Sequence, residues 1–185
     1  PSGGPLLEVI DIWRAAAPSI DFIAPDIYAV EVFDWVCEEF KRSGNPLFIP
    51  ETTVGKTGSA RALYTFGKYN AMGYAPFGID GGGIFNSADP KDESLGKVYK
   101  CLQNIASYIK QFGGTENISG MFIDEGAQSA KSVEMGDYTI SANRFSSSGL
   151  FKMTGGRFGV EGEEDKSAAG LIVIKLVQLL GRKRP

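Results

Sequence analysis

No histidine occurs anywhere in the 185 residues. That absence removes the Ser-His-Asp and Cys-His nucleophilic schemes and the commonest metal ligand. General acid–base work is left to carboxylates, lysine or tyrosine. Cysteine is scarce: Cys37 and Cys101 stand far apart, each on the apolar stripe of an expected helix. Both read as buried free thiols. A disulfide between them stays open without a distance, and neither residue settles the redox compartment. A basic excess is missing too. The formal charge is −3 and the pI near 5.1, which argues against a nucleic-acid partner, since that would need a basic face. No stretch is long and apolar enough to span a bilayer, and Leu171 to Leu180 is about half of the roughly 20 residues required. The chain opens without a signal peptide or an initiator Met. Because Pro1-Ser2-Gly3-Gly4-Pro5 reads as a loop, the chain is expected to start inside a longer protein, and its localisation is unknown from this stretch.

Apolar residues make up 43% of the chain and charged residues 22%, enough for a packed core and unlike a disordered or fibrous protein. The length suits one good-sized domain or two small ones. The first part alternates helix and strand. Leu6, Val9, Ile10, Trp13 and Ala16 fall at helical spacing up to Pro18, and Asp21 to Tyr28 follows as a short apolar strand. Val32, Phe33, Val36, Cys37 and Phe40 predict a second helix closed by Gly44, and Pro46 to Glu51 a second strand. Ala60, Leu63, Phe66 and Gly67 mark a third helix with Ser59 as its N-cap, then Gly73 to Ile79 a third strand. The last helix of this part carries Leu95, Val98, Tyr99, Leu102, Ile105, Ala106 and Ile109 and stops at Gly113-Gly114.

Strands joined by single helices imply right-handed crossovers and a parallel sheet. Three strands are too few to close a barrel, so an edge and much of the inner face are expected to lie open. An open edge of this kind is expected to drive aggregation or pairing with a second copy. From about Thr115 the texture changes to short runs punctuated by Gly, Ser and Asp: Ile118 to Ile123, Tyr138 to Ala142, Leu150 to Met153, Arg157 to Val160 and Leu171 to Leu176. These predict an antiparallel β domain over 114–185 beside an α/β part over 1–113. The charge run 161–167 reads as a solvated hairpin tip, since a calcium loop's ligand spacing is missing. Asn117-Ile118-Ser119 matches a glycosylation acceptor, a pattern common by chance. Gly181 to Pro185 follows an apolar strand with no turn back into a sheet, and is too short to count as a basic patch.

Chemistry gathers at the strand ends. Glu51 ends the run Pro46-Leu47-Phe48-Ile49-Pro50, just before a polar loop. In α/β barrels that is where a catalytic carboxylate is presented, although a strand-end carboxylate also serves simply as a solvated or capping group. Gly81-Gly82-Gly83 lacks both the dinucleotide fingerprint and the lysine of a phosphate loop, so a nucleotide partner is disfavoured.

Taken together, Ala24-Pro25-Asp26-Ile27-Tyr28, Gly44-Asn45-Pro46-Leu47-Phe48-Ile49-Pro50-Glu51 and Ala75-Pro76-Phe77-Gly78-Ile79-Asp80 resemble strands six, seven and eight of glycoside hydrolase family 35. That β-galactosidase-like family belongs to a clan of retaining (β/α)8-barrel glycosidases. In its bacterial branch, which the chain resembles more narrowly, a β-sandwich follows the barrel. The likeness covers about residues 1–112 well and the rest more loosely. It implies the last three βα units of a TIM barrel followed by a partial β-sandwich, with Glu51 as nucleophile and no metal or organic cofactor. It further implies a carbohydrate substrate, a terminal β-galactoside with another β-glycoside as the near alternative, and suggests periplasmic or secreted placement. On this likeness Tyr28 either donates a hydrogen bond to Glu51 or buries its ring as a strand-end aromatic. Phe77 either forms part of a sugar platform or belongs to the core, and Asp26 and Asp80 are polar contacts or loop caps. A retaining enzyme needs a second carboxylate roughly 5 to 5.5 Å from the first, supplied in this clan by an Asn-Glu pair. No Asn-Glu dipeptide occurs here, and Glu116 reads as a turn residue. The acid/base is therefore expected outside this chain, and the chain alone is expected to be inactive. A non-catalytic carbohydrate-binding or structural role for the β segment, with Tyr138 and Phe151 as its aromatics, is the rival expectation.

Overall fold

The structure, a computed structural model, describes residues 6–79, 93–124, 130–142, 148–153, 156–161 and 169–174. Asp80, Gly81-Gly82-Gly83 and the tail Gly181 to Pro185 lie outside them. A single 3-10 turn, Leu7–Val9, leads into α1 (Ile10–Ala16). Three short parallel segments come next, separated by helices. They are β1 (Asp26–Ile27), the pair β2 (Phe48–Ile49) and β3 (Glu51–Thr52) that together make one interrupted strand, and β4 (Gly73–Tyr74). β1 pairs with β3 and β2 with β4, so the interrupted strand is central.

The helix α2 (Phe33–Phe40) buries Phe33, Val36, Cys37 and Phe40, the i, i+3, i+4, i+7 stripe visible in the sequence. These side chains share one core with Ile23, Ile27, Leu47, Ile49 and Tyr74 from the strands. The opposite strand face is thinly covered: Phe22, Tyr28 and Phe77 are exposed, while Asp26, Phe48 and Ala75 are half-buried. A parallel sheet is normally covered on both sides, so among the described residues this sheet is half a layered structure.

Asn45 anchors the start of the central strand. Wholly buried, it accepts the Ile23 N–H on Oδ1 at 2.9 Å and donates Nδ2 to Ile23 O at 2.8 Å and Phe40 O at 2.7 Å. One side chain thus satisfies two main-chain groups of a neighbouring segment and one at the end of α2, which buried polar groups require.

Residues Lys56–Tyr69 form α3, which begins four residues before the expected start. Gly55 is its N-cap, and Ser59 instead turns its hydroxyl back to Gly55 O at 2.8 Å and meets Ser94 Oγ at 2.9 Å. A glycine cap has no side-chain acceptor to mark it, which is why sequence favoured the serine. The final helix, α4 (Ser94–Phe112), leans on α3 and the core through Val98, Tyr99, Leu102 and Ile109, and Leu102 alone is fully buried. Cys101, expected in the core, lies on the uncovered flank of that stripe and is exposed. Cys37 is buried, and both thiols are free. No helix among the described residues is long and apolar enough to cross a membrane.

The β segment is antiparallel throughout. β5 (Ile118–Ile123) pairs with the last strand, β10 (Ala169–Ile174), and the pair packs on α3. Backbone meets backbone here. A Cβ on Gly67 would stand 2.7 Å from Ser119 O, and one on Gly170 would run into the Ala60 carbonyl. Between them in sequence lie β6 (Lys131–Met135), β7 (Tyr138–Ala142), β8 (Ser148–Met153) and β9 (Gly156–Glu161), a four-stranded meander. The β6 strand was not anticipated, because Val133 and Met135 are its only apolar residues. It is held by a two-residue turn to β7 with Gly136 at φ 61°. Met121 and Ile123 of β5 join Met135, Ile140 and Ala142 in a second small core. The run 161–167 lies outside the described residues beyond Glu161. The described strands on either side of it pair elsewhere, β9 with β8 and β10 with β5.

Asn45→Ala leaves the buried Ile23 N–H and C=O without partners. It is expected to lower unfolding free energy by about 3 kcal/mol, measured by urea denaturation with an unchanged slope.

Candidate active site

Glu51 owes its direction to an interruption. Pro50 has no N–H to donate and splits the central strand. The Ala75 N–H bonds Ile49 O at 2.8 Å, and the Phe77 N–H bonds Thr52 O at 2.9 Å. The central strand therefore advances three residues where its neighbour advances two. This is a β-bulge, a device that re-aims a side chain at the end of a ladder. Past the bulge, Thr52 turns inward: it is fully buried, with Oγ1 donating to Ile27 O at 2.6 Å. Glu51 is left half-buried on the opposite face.

Tyr28 stands beside it. One residue beyond β1 and 40% exposed, it does not bury its ring, and its hydroxyl donates to Glu51 Oε1 at 2.6 Å. This short bond is charge-assisted, with a carboxylate as acceptor. Burial pushes the Tyr28 hydroxyl well above the usual tyrosine range, and the bond to Glu51 and the charges of Glu51 and Asp26 push it further. Tyr28 therefore remains a proton donor at any ordinary pH. Phe77, at the end of the strand on the other side, is 42% exposed and not part of the core.

Asp26 is the cross-strand register partner of Glu51. Desolvation, then the negative charge of Glu51, raise its pKa. Two carboxyl groups and one phenol thus converge on one half-open face. Asp80, the remaining polar residue expected here, lies outside the described residues. Among the described residues no cluster of three or more carboxylates or cysteines is arranged to hold a metal ion.

Two contributors were not legible beforehand. Thr52 gave no signal beyond following Glu51. The bulge was foreshadowed only by Pro50 within an otherwise strand-like run. No protein-family model matches the chain, and no curated protein matches it.

Two measurements check this electrostatic arrangement. NMR titration of labelled tyrosine should find Tyr28 protonated well beyond the usual tyrosine range, with Glu51→Gln moving its titration downward. A raised Asp26 pKa means that the folded state binds the proton more readily than the unfolded chain. Ionised Asp26 therefore opposes folding at neutral pH, and that opposition fades as pH falls through its raised value. Accordingly, Asp26→Asn should raise the thermal midpoint modestly at neutral pH, and the gain should vanish under acid conditions where Asp26 is already protonated.

Proposed function

We propose that this chain carries the nucleophile side of a retaining β-galactosidase-like glycosidase of the family 35 type. In this reading residues 1–113 are the last three βα units of a (β/α)8 barrel and 114–185 an incomplete accessory β-sandwich. The observation that carries it is the 2.6 Å bond from Tyr28 to Glu51, made at the ends of adjacent parallel strands on a half-open face. The sequence resemblance supplies the choice of sugar.

The chemistry follows from the geometry. Glu51 attacks the anomeric carbon. A new carbon–oxygen bond forms as the glycosidic bond breaks, and the departing oxygen takes the bonding electrons. Tyr28 holds one carboxylate oxygen in place, leaving Oε2 for attack. The exposed Phe77 ring offers an apolar platform for the sugar. Protonating a poor leaving group needs an acid, which this reading puts on a strand outside the chain, along with the rest of the barrel. The half-covered sheet face and exposed side chains such as Ile12 at 64% and Trp13 at 44% suit a surface completed by further strands or a second copy. Periplasmic or secreted placement would suit such an enzyme.

A substrate whose leaving group needs no proton isolates the role of Glu51. The probe is a β-galactoside with a dinitrophenolate leaving group and fluorine replacing the hydroxyl beside the anomeric carbon. The expected outcome is slow formation of a glycosyl adduct on Glu51, read by peptide mass mapping, slower in Tyr28→Phe and absent in folded Glu51→Gln. An adduct elsewhere, or equal labelling of the glutamine variant, would overturn the assignment.

A further inference from the structure

A second concavity, of about 470 Å3, lies away from Glu51 between the α2–α3 face and the strands β5 and β6. Its volume is that of a small-molecule site. Arg61 of α3 lines it, and this arginine is 3% exposed. The guanidinium carbon lies over two rings, 4.5 Å from the centroid of Phe33 on α2 and 5.3 Å from that of Phe122 on β5. Among the described residues it makes no ion pair and no hydrogen bond. Buried charges are ordinarily paired, because an unpaired one keeps a large desolvation cost. Stacking on aromatic faces offsets part of that cost and leaves the planar edge of five N–H donors unused.

The other charges around the cleft do not fill this role. Asp34 accepts the Tyr64 hydroxyl at 2.8 Å and faces Lys68 Nζ at 3.8 Å, and Asp124 faces Lys131 Nζ at 3.9 Å. Lys68 also donates to Tyr64 Oη at 2.9 Å. The remaining carboxylate, Glu31, is exposed at the mouth and forms no ion pair with Arg61. Three acidic groups near one unsatisfied arginine disfavour a doubly charged guest. A single planar carboxylate matches the guanidinium fork in geometry and charge. Ser119 and Ser132 also line the cleft, the Ser132 hydroxyl being paired with that of Ser141 at 2.8 Å.

We infer that this cleft binds a small monocarboxylate of sugar-acid size, its carboxylate bridging the two N–H groups at the edge of Arg61. The site is separate from Glu51 and stands whether or not Glu51 is a nucleophile. If the glycosidase reading holds, the cleft is an anchoring site for an acidic sugar unit of a polysaccharide.

Calorimetric titration of the 185-residue chain with galacturonate, galactose and inorganic phosphate tests it. Galacturonate should bind with an affinity that depends on Arg61, and any galactose binding should not depend on Arg61. Arg61→Lys, which keeps the charge but loses the fork, should weaken galacturonate about tenfold or more. Glu51→Gln should leave that affinity unchanged, which separates this site from the proposed nucleophile. If the lysine variant does not fold, the wild-type chain still answers: an arginine-directed dicarbonyl should modify Arg61, and galacturonate should protect it in peptide mapping. No galacturonate binding, equal binding of phosphate, an unchanged affinity in Arg61→Lys, or no protection of Arg61 would each overturn the inference.

Discussion

The main-chain ladder on both sides of the segment 46–52 is what the rest of this structure depends on. At its start, Asn45 stitches the segment to Ile23 and to the end of α2. Further along, β2 pairs with β4 and β3 with β1, and the bulge between them changes which residue faces which side. Thr52 then goes into the helix-facing core while Glu51 faces the opposite side and meets Tyr28. Regular pairing would have kept strict alternation and put Glu51 on the side of Leu47 and Ile49, in a hydrocarbon core. The carboxylate is therefore available because the ladder is broken at that point.

The helix α3 is the second organiser, and it works on two faces. One packs on the parallel strands, where Tyr74 donates to Gly58 O at 2.7 Å. The other receives β5 and β10 at backbone distance, which only glycines at Gly67 and Gly170 permit. Phe122 and Ile172 from those strands consequently pack against the core of the α/β part. Close docking also brings Phe122 over Arg61 and creates the cleft, so the same glycine contacts that join the two parts of the chain shape the pocket between them.

Arg61 and Glu51 illustrate two ways a fold holds charge. Glu51 is half in water and receives a donor from a tyrosine whose own proton is firmly held. Arg61 is out of water, kept by two aromatic faces with its donors unspent. The first arrangement keeps a carboxylate oriented and accessible. The second holds a recognition group ready for an anion, because little rearrangement is needed when the partner arrives.

Much of the architecture could be read along the chain. The stripe of α2, the alternation of Tyr138, Ile140 and Ala142 with polar residues, and the bounds of β5 and β7 follow from local periodicity, which carries its own record of which face is buried. Glu51 was nameable for the same reason, since it stands where an apolar run gives way to a polar loop, whereas Tyr28 came only with the family resemblance. Other features had no local signature. The exposure of Cys101 depends on how far α3 covers α4, and β6 exists because a glycine turn pairs a polar run with β7. The bulge that turns Glu51 out, the threefold use of Asn45 and the aromatic contacts of Arg61 each join residues from separate elements. Periodicity reports what a residue does within its own helix or strand. Which side chains meet across elements is decided by docking, and both the Tyr28–Glu51 pair and the Arg61 cleft are products of that docking.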